Sequence, residues 1–186
     1  MSTDNFHRVS SCLGFMAICF FFLAATAAFS AQTRIADLVL RNSQSEVLVD
    51  LRIEGYFTEE MQAAVLKGIP INISFSISFY EVRGFWFDNK LIGKTAFHSI
   101  RYDALRKEYR IESSWGKRAP VVKKDFSQAH KLFSEIKGLD VISLSRLKKG
   151  AHYQLRIKSE LQDRNYPFSG APWEFETDWY TINFVY

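Results

Sequence analysis

The sequence predicts a mainly β protein, an antiparallel β-sandwich with two short helices. Three observations support this fold class. Apolar and polar residues alternate over about eight short segments, turn-forming residues separate these segments, and two stretches show helical spacing instead. Many short strands with few helices are typical of two packed sheets. An immunoglobulin-like Greek key is the expected topology.

The clearest predicted strand is Ile71–Phe79, in which isoleucine and phenylalanine alternate with asparagine and serine. A period of two places all the apolar side chains on one face and the polar ones on the other. This pattern is typical of an antiparallel sheet with one face on the core and one face exposed to solvent. The last predicted strand changes its apolar phase between Trp179 and Ile182, which predicts a bulge. The other predicted strands are Ile35–Arg41, Glu46–Glu54, Leu91–Tyr102, Lys107–Ser113, Val141–Leu147, Ala151–Leu161 and Phe175–Phe184.

Short polar connections predict hairpins at residues 42–45, 103–106 and 148–150, and the longest predicted loop is Tyr166–Pro172. Two segments predict helices. The first begins after Thr58, a good N-cap, and ends at Gly68. The second begins at Asp125 and ends at Gly138. Their predicted apolar stripes are Met61, Ala64 and Val65 in the first, and Ala129, Leu132, Phe133 and Ile136 in the second.

Residues 1–30 have the features of an export signal. Leu13–Phe29 is uncharged and apolar, it follows Arg8, and Ala28-Phe29-Ser30 offers a small-x-small cleavage site. The alternative is an uncleaved membrane anchor, although the apolar run is short for a spanning helix. Residues 31–186 are therefore expected to form a single domain, exported to the periplasm or tethered to the membrane facing it.

The composition of the predicted domain excludes several kinds of chemistry. Both cysteines, Cys12 and Cys19, lie in the leader, so residues 31–186 have no disulfide, no thiol nucleophile and no thiolate metal site. Glycine-rich phosphate loops and paired metal-binding histidines are absent from the sequence. Of the remaining histidines, His98 is expected to be a hydrogen-bonded core or edge residue, and His130 and His152 are expected in solvent. We therefore expect no cofactor, no metal and no nucleic-acid partner.

Charge is unevenly distributed along the domain. Arg101–Lys124 has eight lysines and arginines against three acidic residues, and Glu160–Asp178 has five acidic residues against one arginine. The simpler interpretation is two solvated faces. The functional interpretation is a basic surface for anionic lipid or an acidic partner. The candidate binding residues on this surface are Arg106, Lys107, Arg110, Lys117 and Arg118.

Three adjacent aromatic residues, Phe85, Trp86 and Phe87, lie in a segment that links two long predicted strands. Three neighbours cannot all point one way from a strand, so at least one is expected to be exposed or to cover a sheet edge. They either cap one end of the sandwich or form an aromatic tip that contacts a membrane interface or an apolar ligand. Other aromatic residues that could extend this site are Trp173, Trp179 and Tyr180, although Trp179 could equally be the central core tryptophan.

Four aspartates, Asp88, Asp103, Asp163 and Asp178, lie at predicted turns or strand ends. Aspartate is common in turns because its side chain bonds the local backbone. Two convergent carboxylates could also perform acid–base catalysis. A hydrolase is therefore a further hypothesis.

Five segments carry a family resemblance through their order and spacing, and they are Leu66–Ile71, Phe85–Asp88, Tyr102–Ile111, Leu144–Leu147 and Asp178–Tyr180. Together they resemble a family of exported bacterial proteins, the domain of unknown function 4390. The resemblance covers roughly Arg34–Thr181. The chain departs from the family pattern at Phe97-His98-Ser99, where arginine or aliphatic residues are more usual, and in a turn that is richer in phenylalanine than in tryptophan.

The resemblance implies a short, secreted or membrane-tethered protein for which no catalytic residue is established. The resemblance also implies a gene that lies beside the gene of a membrane sensor kinase related to nitrogen regulation, which is an association and not a mechanism. The preferred hypothesis is a non-enzymatic module that binds a protein at the cell envelope. The first alternative is a module that binds lipid or a membrane surface, and the second is a hydrolase with paired aspartates.

Overall fold

Ten β-strands and two α-helices make up the part of the chain that the structure describes. The structure is a computed structural model that describes residues 32–85, 87–116, 119–161 and 174–186. In chain order the elements are β1 (Arg34–Asn42), β2 (Glu46–Glu54), α1 (Glu59–Leu66), β3 (Ile71–Glu81), β4 (Asn89–Asp103), β5 (Glu108–Ser113), β6 (Val121–Lys123), α2 (Phe126–Ser134), β7 (Glu135–Ser143), a 3₁₀ turn (Leu144–Arg146), β8 (His152–Leu161), β9 (Phe175–Glu176) and β10 (Tyr180–Val185).

The strands form two antiparallel sheets, which confirms the predicted fold class. The smaller sheet has the order β1-β2-β7. The larger sheet has the order β10-β8-β3-β4-β5-β6, with β9 paired to the far end of β8. Because β3 to β6 are joined by short connections, four consecutive strands stay in one sheet. The strand β8 then returns beside β3, which is Greek-key order, but the strand order differs from the immunoglobulin arrangement of four and three strands.

The core lies between the two sheets. On β3 the predicted alternation holds, and Ile73, Phe75 and Phe79 are completely buried. The indole N–H of Trp115, which follows β5, donates to the Lys137 carbonyl of β7 at 3.0 Å and so joins the two sheets. Full burial of one such aromatic or aliphatic side chain contributes about 2 to 3 kcal/mol through the hydrophobic effect. The sandwich is therefore held by its core without disulfides.

The hairpin turns at residues 42–45 and 103–106 are confirmed, but the connection at residues 148–150 is not a hairpin. It crosses from the smaller sheet, where β7 pairs with β2, to the larger sheet, where β8 pairs with β3. The predicted strand Val141–Leu147 is also wrong at its end. The strand stops at Ser143 because the chain turns there, with the Leu144 N–H bonded to the Ser45 carbonyl.

The first helix agrees with the prediction. The Thr58 hydroxyl accepts from the Met61 N–H, and the predicted stripe is buried. The second helix begins as predicted, since the Asp125 carboxylate accepts from the Gln128 N–H at 2.9 Å, but it ends at Ser134 rather than at Gly138. Ile136 belongs to β7, where it pairs with Leu51. Its spacing fits both a helical stripe and the inner face of a strand.

Three register shifts distort the smaller sheet, one in its outer strand β1 and two in its outer strand β7. Gly138, with a φ of 65°, lies where β7 has one residue more than β2, and its N–H donates to the Asp50 carboxylate at 2.7 Å. Asp37, with a φ of 51°, lies where β1 has one residue more than β2. The glycine taken as a helix stop is therefore a bulge residue.

The predicted last strand divides into β9 and β10. Between them the Thr177 N–H donates to the Ser159 carbonyl and its hydroxyl accepts from the Ser159 N–H. This local pairing replaces the regular hydrogen bonds of the ladder. It explains why the apolar residues lie at odd positions up to Trp179 and at even positions from Ile182. No helix in the described ranges is long and apolar enough to span a membrane. The leader and the predicted loop Tyr166–Pro172 lie outside the described residues.

Candidate functional site

The aromatic turn, residues 82–88, joins β3 to β4 and exposes its phenylalanines. Phe85 is 100% exposed and Phe87 is 95% exposed, while Trp86 lies outside the described residues. The Asp88 carboxylate accepts from the Arg83 N–H at 3.3 Å and closes the base of the turn. These two rings therefore project into solvent from a turn whose backbone is held at its base.

Glu81 anchors the aromatic turn to the rest of the sandwich. Its carboxylate accepts from Lys148 of the crossover at 2.9 Å and also contacts Asn89 and Arg83. The hydrogen bond from Lys148, followed by that from Asn89, lowers the pKa of Glu81. The cations beside the turn are thereby partly neutralised at its base.

The basic turn, residues 103–107, joins β4 to β5. The Asp103 carboxylate accepts from the N–H groups of Leu105 and Arg106, both at 3.1 Å. Lys107 has a φ of 53°, and Leu105 is 97% exposed. The Glu108 carboxylate lies 4.0 Å from the Arg106 guanidinium and 3.7 Å from that of Arg110. The basic stretch thus includes its own counter-charges, and Lys117 and Arg118 lie outside the described residues.

The structure places the aromatic turn and the basic turn at opposite ends of β4. This strand has 15 residues, so at about 3.3 Å per residue its ends are roughly 45 Å apart. The predicted binding residues therefore divide into two surfaces and do not form one site. Asp88 and Asp103 are separated in the same way, and each bonds the backbone of its own turn. Asp163 lies outside the described residues.

The histidines are separated, and one differs from expectation. His98 is in the core as predicted, with its ring 5.2 Å from the rings of both Trp115 and Phe133. Burial lowers its pKa to about 4. His130 was expected in solvent, but it is half-buried and stacks on Phe126, and burial lowers its pKa. The helix face on which it lies is covered by residues around the end of β2. His152 is exposed, as expected.

A pocket of about 480 Å³ surrounds His130 and is lined in part by Tyr56 and Ser134. Ser134 lies 3.3 Å from His130 Nε2, a distance that suggests a nucleophile and a base. The serine hydroxyl, however, donates to the backbone carbonyl of His130 at 2.9 Å and also contacts the Tyr56 hydroxyl. These polar atoms satisfy one another at the end of α2, which is a structural role.

A second pocket of about 480 Å³ lies on the outer face of the larger sheet. Its lining residues come from β3, β4 and β8, with Trp179 beside β10, and they are Ser76, Ile77, Ser78, Tyr80, Lys90, Gly93, Lys94, Thr95, Arg156 and Trp179. Sequence reasoning missed this outer pocket. The alternation placed the serines on one face and showed the cations of β8 alternating with apolar residues, but it did not show that these strands are neighbours.

Trp179 is 47% exposed, and its ring lies 5.4 Å from the Lys158 ammonium. It is therefore not the core tryptophan; that position is occupied by Trp115, which is 8% exposed. Tyr180 is 40% exposed on β10, and Trp173 lies outside the described residues. Groups of three or more side chains that could hold a metal ion are absent from the described residues.

Comparisons with known proteins agree with the resemblance noted from the sequence. The family described as Domain of unknown function (DUF4390) matches residues 30–183. No curated protein and no solved structure shows a significant match to the chain. Because the match spans most of the chain and nearly all of the two sheets, the chain belongs to the family of the Domain of unknown function (DUF4390).

Proposed function

We propose that this protein is a non-enzymatic binding module, exported to the cell envelope, whose aromatic turn docks on an apolar surface of a partner protein. The exposure of Phe85 and Phe87 supports this proposal more than any other observation. Large aromatic side chains are enriched at the centres of protein interfaces, where they contribute much of the binding energy. A membrane sensor kinase is the partner class that the family resemblance suggests.

The geometry around the turn supports docking. The β3–β4 hairpin holds the base of the turn through Asp88 and Glu81, so little backbone conformational freedom is lost when the phenylalanines are covered. The basic turn is a weaker candidate because Glu108 already lies beside its arginines. The aromatic turn is therefore the preferred docking element.

Crosslinking in the native cell tests this proposal. A photoreactive phenylalanine analogue is introduced at position 85 of the full chain and, as a matched control, at position 105, where Leu105 is 97% exposed at the opposite end of β4. We expect one discrete protein adduct from position 85, abolished by Phe87→Ser, and none from position 105. Equal adducts from both positions, or none from position 85, would contradict the proposal.

A membrane surface is the second candidate, because Arg83 and Lys90 flank the exposed rings and aromatic residues beside cations are typical of membrane–water interfaces. Co-sedimentation with anionic vesicles distinguishes the two. If Phe85→Ser with Phe87→Ser lowers vesicle binding and Leu105→Ser does not, while position 85 gives no protein adduct, the membrane function replaces the protein-binding one.

A further inference from the structure

The outer pocket is built from three cross-strand rows of side chains on the face of the larger sheet that points away from the core. Each row has one residue from β8, one from β3 and one from β4. The rows are Gln154–Tyr80–Lys90, Arg156–Ser78–Gly93 and Lys158–Ser76–Thr95. Hydroxyl groups thus occupy the middle of the pocket, with cations on both sides.

The floor of the pocket is the row that contains Ser78 and Gly93. Ser78 is only 8% exposed, and it lines the pocket. Gly93, directly opposite, contributes no side chain. The serine hydroxyl can donate a hydrogen bond to a ligand atom that reaches this floor, and such a bond would contribute to binding.

A bulge directs Lys90 over this floor. Between β3 and β4 the register shifts at Leu91, so Lys90 rather than Leu91 shares the outer face with Gly93. A Cβ atom on Gly93 would stand 2.8 Å from the Lys90 Cε and 2.9 Å from its Nζ. The lysine side chain therefore occupies the space that the glycine leaves free.

Arg156 forms the opposite wall of the pocket. Its Nε donates to the Gln154 side-chain oxygen, and its guanidinium lies 5.0 Å from the Tyr80 ring centroid. These two contacts hold the guanidinium in place. Within the described residues, no carboxylate forms an ion pair with Arg156 or Lys90, whereas Lys94 pairs with Asp140 and Lys158 with Glu176.

Among the described residues these two cations have no ion-pair partner, and together with the serine hydroxyl they offer hydrogen-bond donors that suit an anion. None of the described lining residues is acidic. A guanidinium offers two parallel donors and an ammonium offers a point charge, a combination that suits the several oxygens of a phosphate group. The volume of about 480 Å³ is larger than a phosphate alone needs and lies in the range of small-molecule sites.

We propose that the outer pocket binds the phosphate group of a phosphate ester, with Arg156 and Lys90 on its oxygens and the esterified part beside Tyr80 and Trp179. This site lies beside the base of the aromatic turn but includes neither Phe85 nor Phe87, and it extends beyond the docking function. Phosphate esters occur both as soluble metabolites and as lipid headgroups, and both present negatively charged non-bridging oxygens to a guanidinium and an ammonium group.

Calorimetric titration of the full chain with inorganic phosphate and with glycerol 3-phosphate tests the site, and co-sedimentation with phosphatidylcholine vesicles containing phosphatidylglycerol tests the lipid source. The variants are Arg156→Gln and Gly93→Ala, and the matched control is Arg101→Gln, which removes an arginine from the same sheet. Arg101 is ion-paired to Glu112 and lies away from the pocket.

We expect saturable binding of glycerol 3-phosphate, of the vesicles or of both. Arg156→Gln should weaken it about tenfold, since a charge-assisted pair is lost, and Gly93→Ala should weaken it several-fold because the added methyl displaces Lys90. Arg101→Gln and Phe85→Ser should leave the titration unchanged. Binding of soluble ester alone or of vesicles alone identifies the source.

Two results would overturn the assignment. One is the absence of saturable binding to every probe. The other is an equal loss for Arg156→Gln and Arg101→Gln, which would mean general charge attraction. Far-ultraviolet circular dichroism and thermal unfolding of each variant confirm that a loss of binding does not come from a loss of fold. The Phe85→Ser control separates failure of this site from failure of the docking function.

Discussion

The two faces of the larger sheet come from alternate residues of the same strands, yet they have opposite compositions. On β3 the inner face consists of isoleucine and phenylalanine that are almost completely buried, whereas the outer face carries Ser74, Ser76 and Ser78. Serine is not a favoured strand residue. The inner face therefore explains the stability of the sheet, and the small outer residues leave room for a pocket.

Residues that stabilise the sheet and residues that could bind a ligand are therefore neighbours along each strand. Removing an inner side chain leaves a cavity in a close-packed interior. Changing an outer side chain alters charge and shape at the surface and has little effect on the free energy of unfolding. The predictions below test this separation, beginning with the largest expected effect.

Phe79→Ala tests the inner face. The ring is completely buried and stacks 5.5 Å from that of Tyr153. We expect a loss of about 3 to 5 kcal/mol in the free energy of unfolding, measured by urea denaturation. The control is Ser78→Ala, its neighbour on the outer face, which should change the value by less than about 1 kcal/mol. Similar losses for the two variants would contradict the separation.

His98→Leu tests a buried ionisable residue on the inner face of β4. Burial lowers the pKa of His98 from 6.5 to about 4, so the unfolded chain binds the proton more tightly. The stabilisation from the neutral ring is complete above pH 6.5 and is lost as the pH falls towards 4. The wild-type chain should therefore lose about 2 kcal/mol more than His98→Leu between pH 7 and 4.5.

Urea denaturation at several pH values measures this difference. The paired carboxylates lose their contribution at lower pH, and His130, whose pKa is also lowered by burial, is present in both proteins. The difference between the two chains therefore reports His98. Parallel pH profiles for wild type and variant would show that His98 is not desolvated in the folded state.

Asp50→Ala tests an outer polar residue of the smaller sheet, and it removes the hydrogen bond that the Gly138 N–H donates to the Asp50 carboxylate. Burial alone would raise the pKa of Asp50, but hydrogen bonds from Arg41 and from the Gly138 N–H outweigh it and lower the pKa. Loss of the carboxylate leaves the bulge N–H without its partner, and we expect a loss of about 1 to 2 kcal/mol. Glu46→Ala, at the start of the same strand, is the control for thermal unfolding.

Ser76→Thr has the smallest expected effect. Ser76 is half-exposed on the outer face between Thr95 and Lys158. A β-branched residue suits a pleated surface better, so the variant should be more stable by a few tenths of a kcal/mol. Urea denaturation in triplicate resolves this change. A loss above about 1 kcal/mol would mean that the serine contributes to the fold.

Much of the fold could be predicted from local patterns. The alternation in Ile71–Phe79 identified β3 and its inner face, and Thr58 and Asp125 identified both helix starts. The errors arose where a residue fits two structures. Gly138 is typical of a helix end and equally of a bulge, and only the pairing of Ile136 with Leu51 distinguishes them.

The candidate sites divide in the same way. The aromatic turn follows from three adjacent aromatic residues, a local signal. The outer pocket depends on the pairing of Ser78 with both Gly93 and Arg156, which are far apart in the chain. The register between distant strands is set by the packing of the whole core, so no short sequence motif predicts which of their residues are paired. The cations of β8 were visible in the sequence, but their neighbours were not.

The bulges in the outer strands of the smaller sheet affect how the folded protein contacts other copies of itself. An unpaired edge strand is a template to which a second chain can add its own strand, and this is a common route to aggregation. In the described part of the chain, β1 and β7 are the outer strands of that sheet, and each is interrupted by a residue with positive φ, Asp37 or Gly138. Neither edge offers a long regular ladder, and Asp37 adds a charge at one of them. The same irregularities that complicate prediction of this sheet therefore protect the folded protein against growth of a sheet across molecules.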